Sequence, residues 1–510
     1  MKYKNPIITG CYPDPSICRV GEDFFLVNSS FEYFPGIPVF HSKDLVNWEQ
    51  IGHCISRNSQ LYLTVKGHNN TGIFAPSIRY HAGVFYVITT NLTCGEAGGG
   101  NFYVWTKNPY GEWSEPVFLD TPGIDPSLFF DEDGTCYYIG TNGDIYIRQL
   151  DVGTGQFCGE HKPVWTGSGG SYPEGPHLYK KDGWYYLLIS EGGTERCHMI
   201  TMARSKCIEG PYEECPYNPV LTNRSLNRPI EAVGHADLVQ DQHGKWWAVC
   251  LGNRPVSYPQ RHNLGRETML APVDFSGEWP VFGNNGVLEE EFEVLMLPGK
   301  VKENKNKEVF EDYFDAEELH LSWNFKGNPD DSLWDCGNGA LKLYGNDKKL
   351  SDAAVTAWVG RRQKHHECRT QVTLTFPTVQ EGEEAGITIF MNCLHHYEAA
   401  VMHKDGVRKL IFRRRIGSLW KIEKEIEYHK DSVTFVLTAN RDQYSFFYIS
   451  DDKEKYLLGS GEVQYLTTEV GGMFTGNYIA LYAVGNGQKT KTPAVFEHFI
   501  YEPKEISLIP

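Results

Sequence analysis

The sequence predicts an all-β protein that consists of a five-bladed β-propeller followed by a C-terminal β-sandwich. Three observations support this prediction. A short motif recurs five times in the first half of the chain, each copy runs into a turn and an aromatic pair, and the second half contains short alternating runs instead. Repeats spaced 49 to 61 residues apart with strand-like content are typical of a propeller, with one copy in each blade.

The recurring motif starts with a leading residue and reaches an Ile or Leu a few positions later. The five copies are Asp14-Pro15-Ser16-Ile17, Ala75-Pro76-Ser77-Ile78, Asp125-Pro126-Ser127-Leu128, Glu174-Gly175-Pro176-His177-Leu178 and His235-Ala236-Asp237-Leu238. The Ile or Leu follows the leading residue by three positions in four copies and by four in the copy that starts at Glu174. Because equivalent positions of propeller blades form a ring around one axis, we expect the five leading residues to surround one pocket.

Each copy continues as a β-hairpin. The turns are Gly21-Glu22-Asp23, His81-Ala82-Gly83, Asp131-Glu132-Asp133-Gly134, Lys181-Asp182-Gly183 and Gln242-His243-Gly244. The aromatic pairs are Phe24-Phe25, Phe85-Tyr86, Tyr137-Tyr138, Tyr185-Tyr186 and Trp246-Trp247. Asp-Gly and related pairs between β-rich runs mark hairpin turns, so each copy is predicted to supply two neighbouring strands of a blade.

The composition changes near Lys300, where a polar, Lys-rich stretch is typical of a linker. We therefore predict a propeller over residues 1–297, a linker over 298–310 and a sandwich over 311–510. The alternating runs of the second half are 368–376, 386–390, 433–437 and 478–482. Short alternating strands of this kind favour a β-sandwich of about 200 residues.

Composition and charge exclude several functional classes. The 510 residues carry a net charge of −17, which argues against nucleic acid and anionic membranes as partners and is compatible with a neutral sugar. The 13 Cys include no C-x-x-C pair, so the sequence predicts neither a disulfide framework nor a zinc site. No signal-like segment follows Met1 and no apolar run approaches roughly 18 residues, so we expect a cytoplasmic protein. A signal removed before cloning would leave the same pattern.

Three of the leading residues are acids that could work together on a glycosidic bond. Hydrolysis of such a bond commonly uses one carboxyl group that protonates the leaving oxygen and a second that activates water or attacks the anomeric carbon. A third carboxylate near the acid can raise its pKa. Asp-Pro-Ser is also a good turn sequence, and that interpretation is favoured for any one Asp alone. The change of residue type from blade to blade favours the catalytic interpretation of Asp14, Asp125 and Glu174.

The motifs together resemble glycoside hydrolase family 43, within its two-domain β-xylosidase and α-L-arabinofuranosidase group. The matching segments are residues 12–16, 30–36, 123–127, 174–178, 234–238 and 264–268. The resemblance implies an inverting mechanism with Asp14 as general base and Glu174 as general acid. It implies that Asp125 raises the pKa of Glu174 and orients it. In an inverting enzyme the base and the acid stand roughly 6.5–9.5 Å apart.

The resemblance also implies substrate-binding residues. They are Phe31, Phe74, Thr194, His235, Arg266 and Phe474. Arg266 would bind sugar hydroxyls or, alternatively, form a salt bridge to Glu267 or another acid. Phe74 stands where better-known xylosidases carry Trp. Phe474 would close the pocket from the sandwich, or would simply belong to the sandwich core.

We expect an exo-acting glycosidase that releases terminal D-xylose, L-arabinofuranose or both from xylo-oligosaccharides or arabinoxylan fragments. Three alternatives remain open: an endo-arabinanase of the same family with an open groove, a retaining fructan-cleaving propeller, and a non-catalytic sugar-binding propeller. We expect no required cofactor. At the propeller axis His235 would suit a bound water better than a cation, although a calcium ion in the channel is compatible with the pattern. The sequence leaves the oligomeric state open, a homo-oligomer included.

Overall fold

Strands form nearly all of the regular structure. A computed structural model describes residues 1–67, 70–93, 99–256, 258–299, 309–450, 452–472 and 474–504. Within these ranges the helical segments are two 3-10 turns, Asp331–Leu333 and Val463–Leu466, and one α-helical turn, Thr468–Gly471. No helix among the described residues is long and apolar enough to cross a membrane.

Five antiparallel sheets of four or five strands form the blades, each from its own stretch of chain. The first blade contains β2 (Ser16–Val20), β3 (Asp23–Val27), β5 (Gly36–Ser42) and β6 (Glu49–Ile55). The second contains β7 (Gly72–Ile73), β8 (Ser77–His81), β9 (Val84–Leu92), β10 (Gly100–Thr106) and β11 (Val117–Leu119). The third contains β12 (Ile124–Phe130), β13 (Cys136–Asn142), β14 (Asp144–Asp151), β15 (Gln156–Phe157) and β16 (Lys162–Trp165). The fourth contains β17 (Glu174–Lys181), β18 (Trp184–Glu191), β19 (Met199–Ser205) and β20 (Glu213–Glu214), and the fifth β21 (Glu231–Gln240), β22 (Trp246–Asn253), β23 (Glu267–Asp274) and β24 (Val281–Phe282).

The inner strands of the five blades close into a ring. Strand β2 packs on β8, β8 on β12, β12 on β17, β17 on β21, and β21 returns to β2. These are the strands that carry or directly follow the repeated motif, and each pairs with the next strand across the turn that the sequence predicts. The structure therefore confirms the five-bladed propeller.

The second half folds into a sandwich of two eight-stranded antiparallel sheets. One sheet contains β26 (Phe310–Asp312), β28 (Trp334–Gly337), β29 (Ala340–Leu343), β31 (Cys368–Thr375), β36 (Ser432–Ala439), β37 (Gln443–Ile449), β38 (Lys455–Glu462) and β40 (Ala494–Pro503). The other contains β27 (Asn324–Lys326), β30 (Ala357–Arg362), β32 (Glu384–Asn392), β33 (His395–Lys404), β34 (Val407–Ile416), β35 (Leu419–Glu427) and β39 (Tyr478–Val484), together with one strand from the propeller half. All four predicted alternating runs fall on these strands, and their inward side chains form one apolar core.

That strand of the propeller half joins the two domains. β4 (Tyr33–Phe34) pairs with Asn324–Lys326 at the edge of the sandwich sheet. The Tyr33 ring also stacks on Tyr478, with 4.1 Å between the centroids. A further two-stranded sheet pairs β1 (Lys2–Lys4) with β25 (Glu291–Glu293). The predicted linker lies largely outside the described residues, because 300–308 are not among them.

Candidate active site

In four of the five blades, one residue of the motif has a left-handed backbone conformation; the Ala75 copy does not share it. Asp14, Asp125, Gly175 and His235 have φ values of 53°, 52°, 57° and 48°. In the blades of the last three, the register with the neighbouring strand shifts at this point. Left-handed φ values are uncommon outside glycine, and Asp and His are among the residues that adopt them most often. In these three blades the motif therefore lies at a bulge of the inner strand.

This conformation corrects the predicted ring in the fourth blade. There the left-handed position is held by Gly175, and Glu174 precedes it by one residue. A Cβ atom at residue 175 would lie 2.8 Å from the His235 ring, so the close approach of that ring also favours glycine. The extra residue in the fourth copy moves the acid one position earlier along the chain.

Asp14 is a buried carboxylate held by a cation. Arg266 Nη1 donates to Asp14 Oδ1 over 2.8 Å, and Ser29 Oγ donates to Asp14 Oδ2 over 2.6 Å. His235 Nδ1 lies 3.8 Å from Asp14 Oδ1. Burial by itself would raise the pKa of Asp14, but Arg266, His235 and the Ser29 hydroxyl outweigh it and hold the pKa below its ordinary value. Asp14 is thus kept ionised, as a general base requires.

Asp125 has the opposite electrostatic environment. Burial and the nearby carboxylates of Glu174 and Asp14 raise the pKa of Asp125 well above its ordinary value. Ligand atoms of Asp125, Glu174 and His235 all lie within 4.8 Å of one another. The three acids that the sequence places in different blades therefore converge, and two of them have pKa values shifted in opposite directions.

Glu174 is the acid of the three that reaches open space. Its side chain is 20% exposed, whereas that of Asp14 is 6% exposed. His198, fully buried at the start of β19, places its Nε2 atom 3.2 Å from Glu174 Oε1. No sequence pattern indicates His198, because a single His beside an apolar strand carries no repeat or spacing signal. Its packing against Gly234 could be found only in the folded chain.

Arg266 connects Asp14 to two other predicted site residues. Its Nη1 atom donates to Thr194 Oγ1 over 3.1 Å, and its Nη2 atom donates to the carbonyl oxygen of Phe474 over 3.3 Å. Of the two predictions for Arg266, a salt bridge to another acid is realised, and that acid is Asp14. Glu267 pairs with Arg254 instead.

Three phenylalanines form a cluster beside Arg266. The ring centroids of Phe31 and Phe74 lie 5.6 Å apart, those of Phe31 and Phe474 5.8 Å, and those of Phe74 and Phe474 5.7 Å. The Arg266 guanidinium lies 5.7 Å from the Phe31 centroid and 5.5 Å from that of Phe474. Phe474 belongs to the sandwich half of the chain, so this half contributes directly to the site and Phe474 is not part of the sandwich core.

A cavity of about 590 Å³ opens next to this cluster. Its lining includes Glu174, Thr194 and Phe474 on the side of the acids. On the outer side it includes Ile124, Asn142, Tyr172 and Glu195, and Tyr172 is 72% exposed. The cavity thus leads from Glu174 to the solvent, as a path for a leaving group would.

The chain is similar to known proteins over nearly its full length. The family model described as glycosyl hydrolases family 43 matches residues 3–280, and that of the β-xylosidase C-terminal concanavalin A-like domain matches 311–502. A non-reducing-end α-L-arabinofuranosidase of Bacteroides ovatus is 41% identical over 98% of this chain and 94% of that protein. A xylosidase/arabinosidase of Butyrivibrio fibrisolvens is 41% identical over 98% of this chain and 99% of that protein.

Solved structures agree with these sequence matches. That of the Bacteroides ovatus xyloglucan PUL GH43B protein superposes with a TM-score of 0.94 at 40% identity, covering 99% of this chain and 100% of the other. That of the Bacillus licheniformis GH43 protein BlXynB reaches a TM-score of 0.91 at 35% identity, covering 99% and 100%. The chain therefore belongs to glycosyl hydrolase family 43 and is a glycoside hydrolase.

Proposed function

We propose that this protein is an exo-acting, inverting glycosidase that releases terminal D-xylose, L-arabinofuranose or both from short oligosaccharides. Asp14 is the general base that activates water, and Glu174 is the general acid that protonates the departing oxygen. Asp125 lies near Glu174 as a further carboxyl group of the site and orients it. The geometry supports this division, because Asp14 is paired with a cation while Glu174 borders the open cavity.

The single observation that carries the exo assignment is the position of Phe474. Its ring packs against Phe31 and Phe74 and lies over the Arg266 guanidinium, so a residue of the sandwich closes one end of the sugar pocket. A pocket closed in this way admits one terminal sugar and gives a continuous chain no exit. An endo-arabinanase, in contrast, would need an open groove.

The sugar preference is proposed from the relatives and from the pocket. One relative is named as an arabinofuranosidase and another as a xylosidase/arabinosidase. The two sugars offer similar hydroxyl groups to a small pocket, and the ring cluster of Phe31, Phe74 and Phe474 offers an apolar wall to either. The cavity beyond Glu174 would receive the remaining oligosaccharide, with Tyr172 as a stacking surface at its rim.

The assay that tests the proposal uses p-nitrophenyl β-D-xylopyranoside and p-nitrophenyl α-L-arabinofuranoside. The wild-type protein is expected to cleave at least one of them. Asp14→Ala is expected to lower the rate strongly, whereas Glu174→Ala is expected to lower it by less, because p-nitrophenolate can leave without a proton. Cleavage of neither substrate, or unchanged rates in both variants, would contradict the assignment. A sugar-binding propeller without activity would bind xylose or arabinose and show no turnover in any variant.

We also propose that hydrolysis requires no cofactor. The proposed steps use two carboxyl groups and water, and none of them requires a metal ion. Calcium prefers six to eight oxygen ligands, whereas the cluster around His235 combines one imidazole with two carboxyl groups. Treatment with EDTA followed by gel filtration is expected to leave the rate unchanged. A loss of activity that added Ca²⁺ restores would show that the channel holds a functional ion.

A further inference from the structure

A segment of the sandwich lies along the propeller loop that ends at Arg266. The segment comprises residues 468–472 and 474–477, and we call it the strap. Thr468 N donates to the carbonyl oxygen of His262 over 3.0 Å, and Asn477 N donates to that of Asn263 over 2.9 Å. Between these two contacts the strap carries Phe474 into the site. The strap is therefore attached to the propeller on both sides of Phe474.

Two contacts between His262 and Glu469 fix the first end of the strap. His262 Nδ1 lies 2.8 Å from Glu469 Oε1, and the His262 main-chain N–H donates to Glu469 Oε2 over 3.0 Å. The His262 side chain is 5% exposed and that of Glu469 22% exposed. A partly buried pair with a two-point contact defines position better than an exposed one, because it is less screened by solvent.

The second end of the strap is held by a buried hydrogen-bond network. Tyr444 Oη accepts from Asn263 Nδ2 over 2.7 Å and from Asn477 Nδ2 over 2.9 Å, and donates to Gln363 Oε1 over 2.8 Å. Next to it the backbones of Gly265 and Gly476 approach so closely that a Cβ atom at residue 265 would lie 2.8 Å from Gly476 N. This end has no room to shift, whereas the first end is held by the Thr468 main-chain hydrogen bond and by the contacts between His262 and Glu469.

The strap continues directly into the catalytic machinery. The Phe474 carbonyl oxygen accepts from Arg266 Nη2 over 3.3 Å, and Arg266 Nη1 donates to Asp14 Oδ1 over 2.8 Å. The Phe474 ring meanwhile packs against Phe31 and Phe74. The placement of the strap thus determines one wall of the sugar pocket.

We propose that His262 and Glu469 are positioning residues that hold Phe474 against the sugar pocket and so set its affinity for the terminal sugar. This inference rests on the proposed function. Neither residue needs to touch substrate, because both act through the strap. A wall contact made equally in the ground state and the transition state affects KM and leaves kcat nearly unchanged.

The test compares E469A, E469Q, F474A and the double variant E469A/F474A with the wild type on both p-nitrophenyl glycosides. The control is E423Q, which removes an exposed carboxylate of the sandwich that pairs with Arg414. We expect E469A to raise KM about tenfold, which corresponds to about 1.4 kcal/mol, because it removes both contacts that Glu469 makes with His262. E469Q keeps one acceptor and is expected to show a smaller rise, and E423Q none.

Coupling to Phe474 separates positioning from a general structural role. If Glu469 acts through Phe474, the double variant is expected to have the KM of F474A alone. The proposal would be overturned if the KM increases of E469A and F474A multiplied in the double variant. It would also be overturned if E469A had a normal KM and a normal melting temperature. If E469A does not fold, E469Q decides by the same comparison.

Hydrogen–deuterium exchange provides a readout that does not depend on turnover. Faster exchange of the 468–477 peptide in E469Q than in the wild type and E423Q is expected, and equal exchange would contradict the proposal. If the wild type cleaves neither glycoside, the proposed function fails. Hydrogen–deuterium exchange then still tests whether the contact between His262 and Glu469 holds the strap in place. If the wild type is active and E469A matches it in KM and in exchange, only the positioning role fails.

Discussion

Replacing Glu174 by Gln should affect substrates according to how much their leaving group needs a proton. Gln has nearly the shape of Glu and can keep a contact with His198, whose Nε2 atom lies 3.2 Å from Oε1 in the wild type. It cannot donate an acidic proton. The xylose that leaves from β-1,4-xylobiose is a poor leaving group, whereas p-nitrophenolate is a stable anion. The variant should therefore discriminate between the two substrates.

The size of the effect follows from the role proposed for Glu174. General acid catalysis typically contributes about 10²- to 10⁴-fold to a rate. Glu174 borders the cavity and is the most exposed of the three acids, so the full contribution should be lost with xylobiose. With the p-nitrophenyl glycoside the bond can break without protonation, and we expect a loss below roughly tenfold.

The assay measures kcat/KM of the wild type and E174Q on β-1,4-xylobiose and on p-nitrophenyl β-D-xylopyranoside. E214Q is the matched control, because Glu214 lies on β20 of the same blade and is exposed. Its rates should equal those of the wild type. Equal losses of E174Q on the two substrates would refute the assignment of Glu174 as the general acid.

Two further predictions concern Arg266 beside Asp14 and the buried pair of Asp237 and Arg79. R266M removes the cation that most strongly lowers the pKa of Asp14. The acid limb of the pH profile of kcat/KM should therefore move to higher pH. If this limb does not move, Asp14 is not the base. Asp237 is fully buried and pairs with Arg79 at 2.8 Å, so D237N deprives that cation of its carboxylate partner at a cost of about 3–5 kcal/mol. The melting temperature should then fall by on the order of 10 °C, and a fall below about 2 °C would contradict the role of this pair.

The fold could be predicted because the repeat is long and each copy carries the same local signals. The turn and the aromatic pair after each motif specify a hairpin through short-range interactions, which sequence reports well. The convergence of Asp14, Asp125 and Glu174 could be predicted for the same reason, since they lie at or just before the start of the repeated strand. The sequence could not show that Gly175, and not Glu174, is the structural equivalent of Asp14 and Asp125. The left-handed backbone at Gly175 appears only in the folded blade.

Contacts between residues distant in sequence account for what was missed. Strand β4, with only Tyr33 and Phe34, joins a sheet whose other members all lie beyond residue 323, and no local pattern indicates that pairing. His198, directly before β19, contacts Glu174 at the start of β17 although β18 separates the two strands, and no spacing signal indicates this contact. Phe474 could be placed only through the family resemblance, because its partners Phe31 and Phe74 lie 400 or more residues earlier.

The stereochemistry of the first product tests the central claim most directly. If Asp14 activates a water on the face opposite to the leaving group protonated by Glu174, a β-xyloside must yield α-xylose before mutarotation. Proton NMR in the first minutes of the reaction is therefore predicted to show the α-anomer first. Initial appearance of β-xylose would mean retention and would contradict the roles assigned to Asp14 and Glu174.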